Sequence, residues 1–262
     1  GNIDKQLQHI DENYFSHFDK IEIDSTIARQ TPFTERADFT EYYNISKDDN
    51  DQNKTYLSLN FILGDVSDLE TSLATSIIAQ ILMQSEAAPL KKALLEAGIG
   101  EDVFALTSAG QEALFGIVAK NTNEDKREQF EQIVFDTLNK LVDKGIDKEL
   151  VKASINVMEF GLREAQGFST KGIMYKIFVM GGWLYDKNPI AYLQYDPFIK
   201  GIREKAEKGY FENFIKEKLL NNPHSSFVTV KPYKGLAFEK AEKVRADLKA
   251  YKESLKPEEL DK

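Results

Sequence analysis

Residues 89–120 read PLKKALLEAGIGEDVFALTSAGQEALFGIVAK, and the order of patterns in this block decides the fold class. Behind Pro89, which suits a first helical turn because no N–H is needed there, a helical pattern runs to Ala97. Gly98 is placed to cap that helix at its C-terminus, where a left-handed residue without a Cβ is favoured. The Gly98-Ile99-Gly100 turn leads into a polar loop, and Glu112 to Val118 then alternates as a strand. No catalytic residue types gather anywhere in the block.

Upstream, the pattern has period two. Lys20 to Ile27 alternates through Ile21, Ile23, Thr26 and Ile27 and predicts a strand, as does Phe39 to Ile45 with Tyr42 and Tyr43. Tyr56 to Leu63 is the clearest strand: Leu57, Leu59, Phe61 and Leu63 point one way, Ser58 and Asn60 the other. The connections are too short for parallel crossovers, so an antiparallel meander is expected. Ser67 with Glu70 forms a capping box. Leu69, Leu73, Ile77 and Ile81 then recur at four-residue steps, with Ala74, Ile78 and Leu82 beside them, as a core-facing helix.

Downstream, helices dominate. They are predicted over 124–143, ended by Gly145, and then after Asp147 through Leu150, Val151, Ile155, Met158 and Leu162. Others cover 169–183, two short ones start at Asn188-Pro189 and Asp196-Pro197, and one covers 210–220 before Asn221-Asn222-Pro223 breaks it. Ser225 to Val230 is a last strand, and 237–255 a charged helix. The fold class is therefore α+β, an antiparallel β-sheet with helices packed on one face. The expected organisation is a linker or N-terminal helix over 1–20, the α+β domain over 21–233, and a helical element starting at 234–262.

Composition excludes several function classes. Net charge is −9, which disfavours general nucleic-acid binding and favours cationic partners such as basic peptides, or simply keeps the surface solvated. There is no Cys, so disulfides, thiolate zinc sites and Cys nucleophiles are all absent. With no signal pattern and no apolar run of bilayer length, a cytoplasmic location is the expectation. The first residue is Gly rather than Met, and LKPEELDK at the end begins a new helix, so the sequence is expected to be part of a longer polypeptide.

Motifs for chemistry do not assemble. His9, His17 and His224 lack the i, i+4 spacing of a helical zinc pair, and neither H-E-x-x-H nor H-x-x-E-H occurs. There is no G-x-S-x-G elbow and no Walker-type loop, and Val103 stands where a dinucleotide fingerprint needs Gly. Glu159 and Arg163 read as a helix-surface ion pair worth about 0.3–0.5 kcal/mol. Gly181-Gly182-Trp183 reads either as a groove lining or as a buried Trp at a tight helix crossing. The residues alone give an α+β domain with no self-contained active site.

Taken in order, SLNFILGDVSDLETSLATSIIAQIL, PLKKALLEAGIGEDV, EALFGIVAK, LVDKGIDKELVKASINVMEFGLRE, GGWLYDKNPIAYL and YFENFIKEKLLNNPHSSFVTVKPY cover most of residues 40–233. This series resembles one domain of the pitrilysin/insulinase class of zinc metallopeptidases, in its presequence-protease branch. The resemblance implies four homologous α+β domains of the mitochondrial-processing-peptidase type, in two halves joined by a helical hairpin, around a closed chamber that degrades unfolded peptides. The first such domain carries H-x-x-E-H and a downstream Glu. This chain resembles the second, which lacks them, so no catalytic or metal residue is carried over. Zinc is then expected as cofactor in the catalytic domain of the parent protein, where it polarises the scissile carbonyl and activates water. Expected partners are peptide substrates and the other domains of the same polypeptide, with no nucleic acid and no membrane. By the same resemblance the loop after Gly98 faces the chamber, which makes Ile99, Val103 and Phe104 the substrate-contact candidates, unless they merely pack the loop. A peptide-binding or scaffold subunit that kept the fold without chemistry is the alternative, and a hydrolase whose site is scattered in sequence is a third reading.

Overall fold

The alternating run around Leu59 becomes β2 (Thr55–Asp65), the central strand of the molecule. Leu57, Leu59, Phe61 and Leu63 are at most 2% exposed, and the residues between them are half-buried, as period two demands of a sheet covered on one side. The computed structural model describes residues 2–24, 26–65, 68–164 and 171–256, with the backbone alone for Ser108 and Ala109. The chain divides into two compact units, 1–31 and 32–262.

The first unit holds α1 (Ile3–Asn13), capped by Asn2, and a short 3₁₀ turn (Phe15–His17). The strand expected over Lys20–Ile27 is not formed among the described residues: Ile21, Ile23 and Ile27 are 68–69% exposed. Alternation alone does not make a strand without a neighbouring edge to pair and a surface to bury.

In the second unit β2 is joined by β1 (Ala37–Ile45), β3 (Asp102–Ala109), β4 (Glu112–Thr122) and β5 (Ser225–Lys234), in the order β1-β5-β2-β4-β3. β2 is antiparallel to β4 and β5, and β3 to β4, but β1 runs parallel to β5 from Ala37 beside Ser226 to Ile45 beside Lys234. The sheet is therefore mixed, which corrects the all-antiparallel expectation at one pair. The chain reverses between β1 and β2 but leaves the width of one strand between them. β5 fills that gap antiparallel to β2 and hence parallel to β1. A second correction concerns β3, which occupies the stretch expected to be a loop. Val103 and Ala105 reach the core from it, and that burial stabilises the pairing with β4.

The helices of this unit are α2 (Leu69–Ala79), α3 (Pro89–Glu96), α4 (Arg127–Lys144), α5 (Lys148–Arg163), α6 (Lys171–Trp183), α7 (Asp196–Ala206), α8 (Tyr210–Ile215) and α9 (Leu236–Ser254). The expected cap at Ser67 lies outside the described residues. Asp68 does the capping, its carboxylate accepting the Thr71 N–H at 3.0 Å. α2 and α8 each run on through one wide π turn, to Gln84 and to Leu220. Gly145 ends α4 at φ +82°, and the Asp147 carboxylate accepts the Leu150 N–H at 2.9 Å to start α5. Leu73 and Ile77 of α2, Phe130 and Val134 of α4, and Phe211 and Ile215 of α8 close one core over Phe61, Phe115 and Phe227.

α6 stands apart from that core. It packs on the 3₁₀ turn Pro189–Leu193, where the Tyr192 ring lies so close to Gly182 that no Cβ fits. Trp183 is 62% exposed, so it is not the buried helix-crossing Trp that the sequence also allowed. No helix among the described residues is long and apolar enough to cross a membrane.

Candidate functional site

Helices cover one face of the sheet, and the residues that alternate with the core strand positions form the other. Register sets out two rows across that second face. In the first, Phe104, Val118, Ser58, Val228 and Phe39 stand side by side from β3 to β1. In the second, Leu106, Gly116, Asn60, Ser226 and Ala37 do the same. The rows place apolar side chains at both edges and a small polar stripe in the middle. Phe104, Leu106 and Phe39 are 37%, 46% and 47% exposed.

The polar stripe is held by local contacts. The Ser58 hydroxyl donates to Asn60 Oδ1 at 2.8 Å. Across the strand pair, a Cβ on Gly116 would stand 2.6 Å from that same Oδ1, so only Gly lets the Asn60 amide lie flat on the sheet. β3 pairs with β4 alone among the described residues, and its outer edge offers backbone N–H and C=O groups to a further extended chain.

The three substrate-contact candidates separate here. Phe104 lies on the open face. Val103, one residue earlier, points to the core and is fully buried. Ile99 is also fully buried, for a reason visible in its backbone: Gly98 N–H reaches Leu95 O at 3.0 Å and Ile99 N–H reaches Leu94 O at 3.1 Å, with Gly98 at φ +63°. That is a Schellman cap, in which the residue after the left-handed glycine packs back on the helix. Leu106 joins Phe104 on the open face. Its signal in the sequence is the two-residue spacing from Phe104, masked by the apolar Val103 and Ala105 that alternate with them.

The histidines do not converge. His224 is buried, its Nδ1 accepts the Phe33 N–H at 3.3 Å, and its ring meets that of Phe33 edge-on at 5.2 Å. His9 lies on exposed α1 beside Asn13. Among the described residues no three His, Cys, Asp or Glu side chains group to hold a metal ion. Burial, then the Glu70 carboxylate, pushes the Tyr210 phenol far above its ordinary range, but Tyr210 packs among Phe211 and Phe214 in the helical layer and faces no cleft of the sheet.

Comparison with known proteins agrees with this picture. Residues 1–158 match the family described as peptidase M16 inactive domain. The whole chain is 39% identical to protein HypA of Clostridium perfringens, covering 27% of that protein. Over 79% of its length it is 33% identical to presequence protease 1, chloroplastic/mitochondrial, of Arabidopsis thaliana, covering 20% of it. In structure it resembles a protease from Helicobacter pylori with a TM-score of 0.64 at 13% identity, over 88% of this chain and 53% of that one. The chain thus spans about a quarter of the curated relatives it matches. With that family model matched over more than half of its length and the M16-type α+β fold, the chain belongs to the M16 peptidases, in the family of their inactive domains.

Proposed function

We propose that this chain forms part of the wall of a closed peptide-degrading chamber in a zinc-dependent metalloendopeptidase, supplying peptide and inter-domain contacts and no catalytic group. The observation that carries the reading is the open sheet face: edge strand β3 displays Phe104 and Leu106 beside unused backbone hydrogen-bonding groups. An unfolded peptide laid along β3 would gain ladder hydrogen bonds from the backbone and selectivity from the two apolar side chains. Ile99 and Val103 would serve that contact from beneath, by fixing the start of β3. The zinc and the water-activating carboxylate belong to another domain of the parent polypeptide. The exposed apolar residues of α6 support a second role, contact with such a domain, because a patch of Ile173, Ile177, Met180 and Trp183 in water is unfavourable. Residues 234–262 would lead into the helical hairpin between the two halves.

The test uses the parent polypeptide beside this chain. Zinc near one per parent chain, with peptide cleavage lost on chelation and neither property in the 262-residue chain, is the expected result. A parent with neither zinc nor cleavage would favour the second reading, a peptide-binding or scaffold subunit on the same fold. In an active parent, Phe104→Ala should raise KM for apolar peptides several-fold with little change in kcat. An unchanged KM and cleavage pattern would remove Phe104 from the substrate site.

A further inference from the structure

A cleft of about 230 Å³ opens in the helical layer, between the α4–α5 turn, α7 and the start of α8. Its floor is aliphatic: Ile146, Val151, Ile155 and Ala206. Four cations stand around it, Lys144, Lys148, Lys152 and Arg203, against two carboxylates, Glu207 and Glu212, in a chain whose net charge is −9.

The arrangement is built rather than incidental. Glu212 is held at the glycine wall of the cleft: its Oε1 accepts the Ile146 N–H at 2.9 Å, and its two oxygens lie near Gly145 and Gly209. Those glycines sit at φ +82° and +79°, in the left-handed region that residues with a Cβ rarely adopt. Arg203 is fixed in place by Glu159 at 2.6 Å and by Asn156 at 2.9 Å. Lys148 is only loosely paired with Glu207, at 3.7 Å. Lys144 and Lys152 have no carboxylate partner among the described residues. Two lysines without a carboxylate partner beside an aliphatic floor fit a carboxylate carried on an aliphatic body. The charge is drawn to the lysines, and the hydrocarbon gains by leaving water, at about 25 cal/mol per Å².

We infer that this cleft is a binding site for an aliphatic carboxylate, either a free fatty acid or the C-terminus of a peptide ending in an aliphatic residue. The inference does not depend on the open sheet face or on zinc. Titration of the 262-residue chain with octanoate, and separately with N-acetyl-Ala-Leu, followed by calorimetry and methyl NMR, tests it. The expected result is binding by at least one of the two, with shifts at Ile146, Val151 and Ile155. Affinity should weaken as salt rises and fall about tenfold in the double variant Lys144→Glu, Lys152→Glu, two exposed exchanges whose fold is verified by an unchanged melting temperature. Tighter binding of octanoate assigns the site to a fatty acid, and tighter binding of the dipeptide to a peptide terminus. Failure of both ligands to bind, affinity unchanged in the double variant, or inorganic phosphate binding as tightly as either carboxylate would overturn the inference.

Discussion

α2 and α6 are written in much the same alphabet and live in opposite surroundings. Leu73, Ala74, Ile77 and Ile78 of α2 are all at most 4% exposed. On α6, Ile173 and Ile177 are 56% and 55% exposed, and Gly182 is its buried residue. The difference teaches that apolar content measures what a helix needs to bury, while the rest of the molecule decides whether that need is met. α2 meets it against β2 and β4. α6 meets only a fraction of it against Pro189–Leu193, and the remainder is the surface that the proposed inter-domain contact would bury.

One pair of substitutions would break this comparison outright. Ile77→Ala should cost about 2–5 kcal/mol in urea unfolding, because it leaves a cavity in a filled core. Ile177→Ala should change the stability of the chain by no more than about 0.5 kcal/mol. Equal costs would mean that α6 is already fully packed. A smaller effect sharpens the picture of the sheet between its two faces. Gly116→Ala should lose about 1–3 kcal/mol, since the new Cβ collides with the Asn60 amide, and Asn60→Ala in the same chain should recover part of it. The smallest effect concerns the helical layer beside α2. Tyr210 holds its proton more tightly in the folded chain than the ordinary value of 10.0, so its contribution is complete below pH 10 and is lost as pH rises beyond that. Tyr210→Phe should therefore lower the melting temperature at neutral pH slightly, through the lost hydrogen bond to Glu70, and flatten its alkaline fall.

Much of this was legible in the sequence wherever one local rule sufficed. β2 was readable because its two faces differ in polarity. α3 was readable because Pro89 starts it and Gly98 ends it, and α5 because Asp147 caps it. β3 was not, because Val103 and Ala105 face the core while Phe104 and Leu106 face outward, so apolar residues lie on both sides and period two is blurred. Ile21 and Ile23 mislead in the opposite direction, with a clean alternation and no described partner strand. Of the candidate site, Phe104 was within reach of the sequence, but the rows that join it to Ser58 and Val228 depend on register between distant segments. The same holds for the cleft beside Lys144 and Lys152, whose opposite wall comes from Arg203 and Gly209.

The parallel pairing of β1 with β5 carries a consequence for synthesis. Among the described residues β5 is the last strand, yet it lies between the first two. A ribosome that has not reached Ser225 has produced both neighbours of β5 without the strand that joins them, so each exposes an unmatched edge in what will become the sheet interior. Closing loops of this length is slow, and open edges recruit other chains. The nascent polypeptide is thus most vulnerable to mispairing just before the sheet is sealed, and truncations ending before Ser225 should accumulate as aggregates rather than as smaller folded domains.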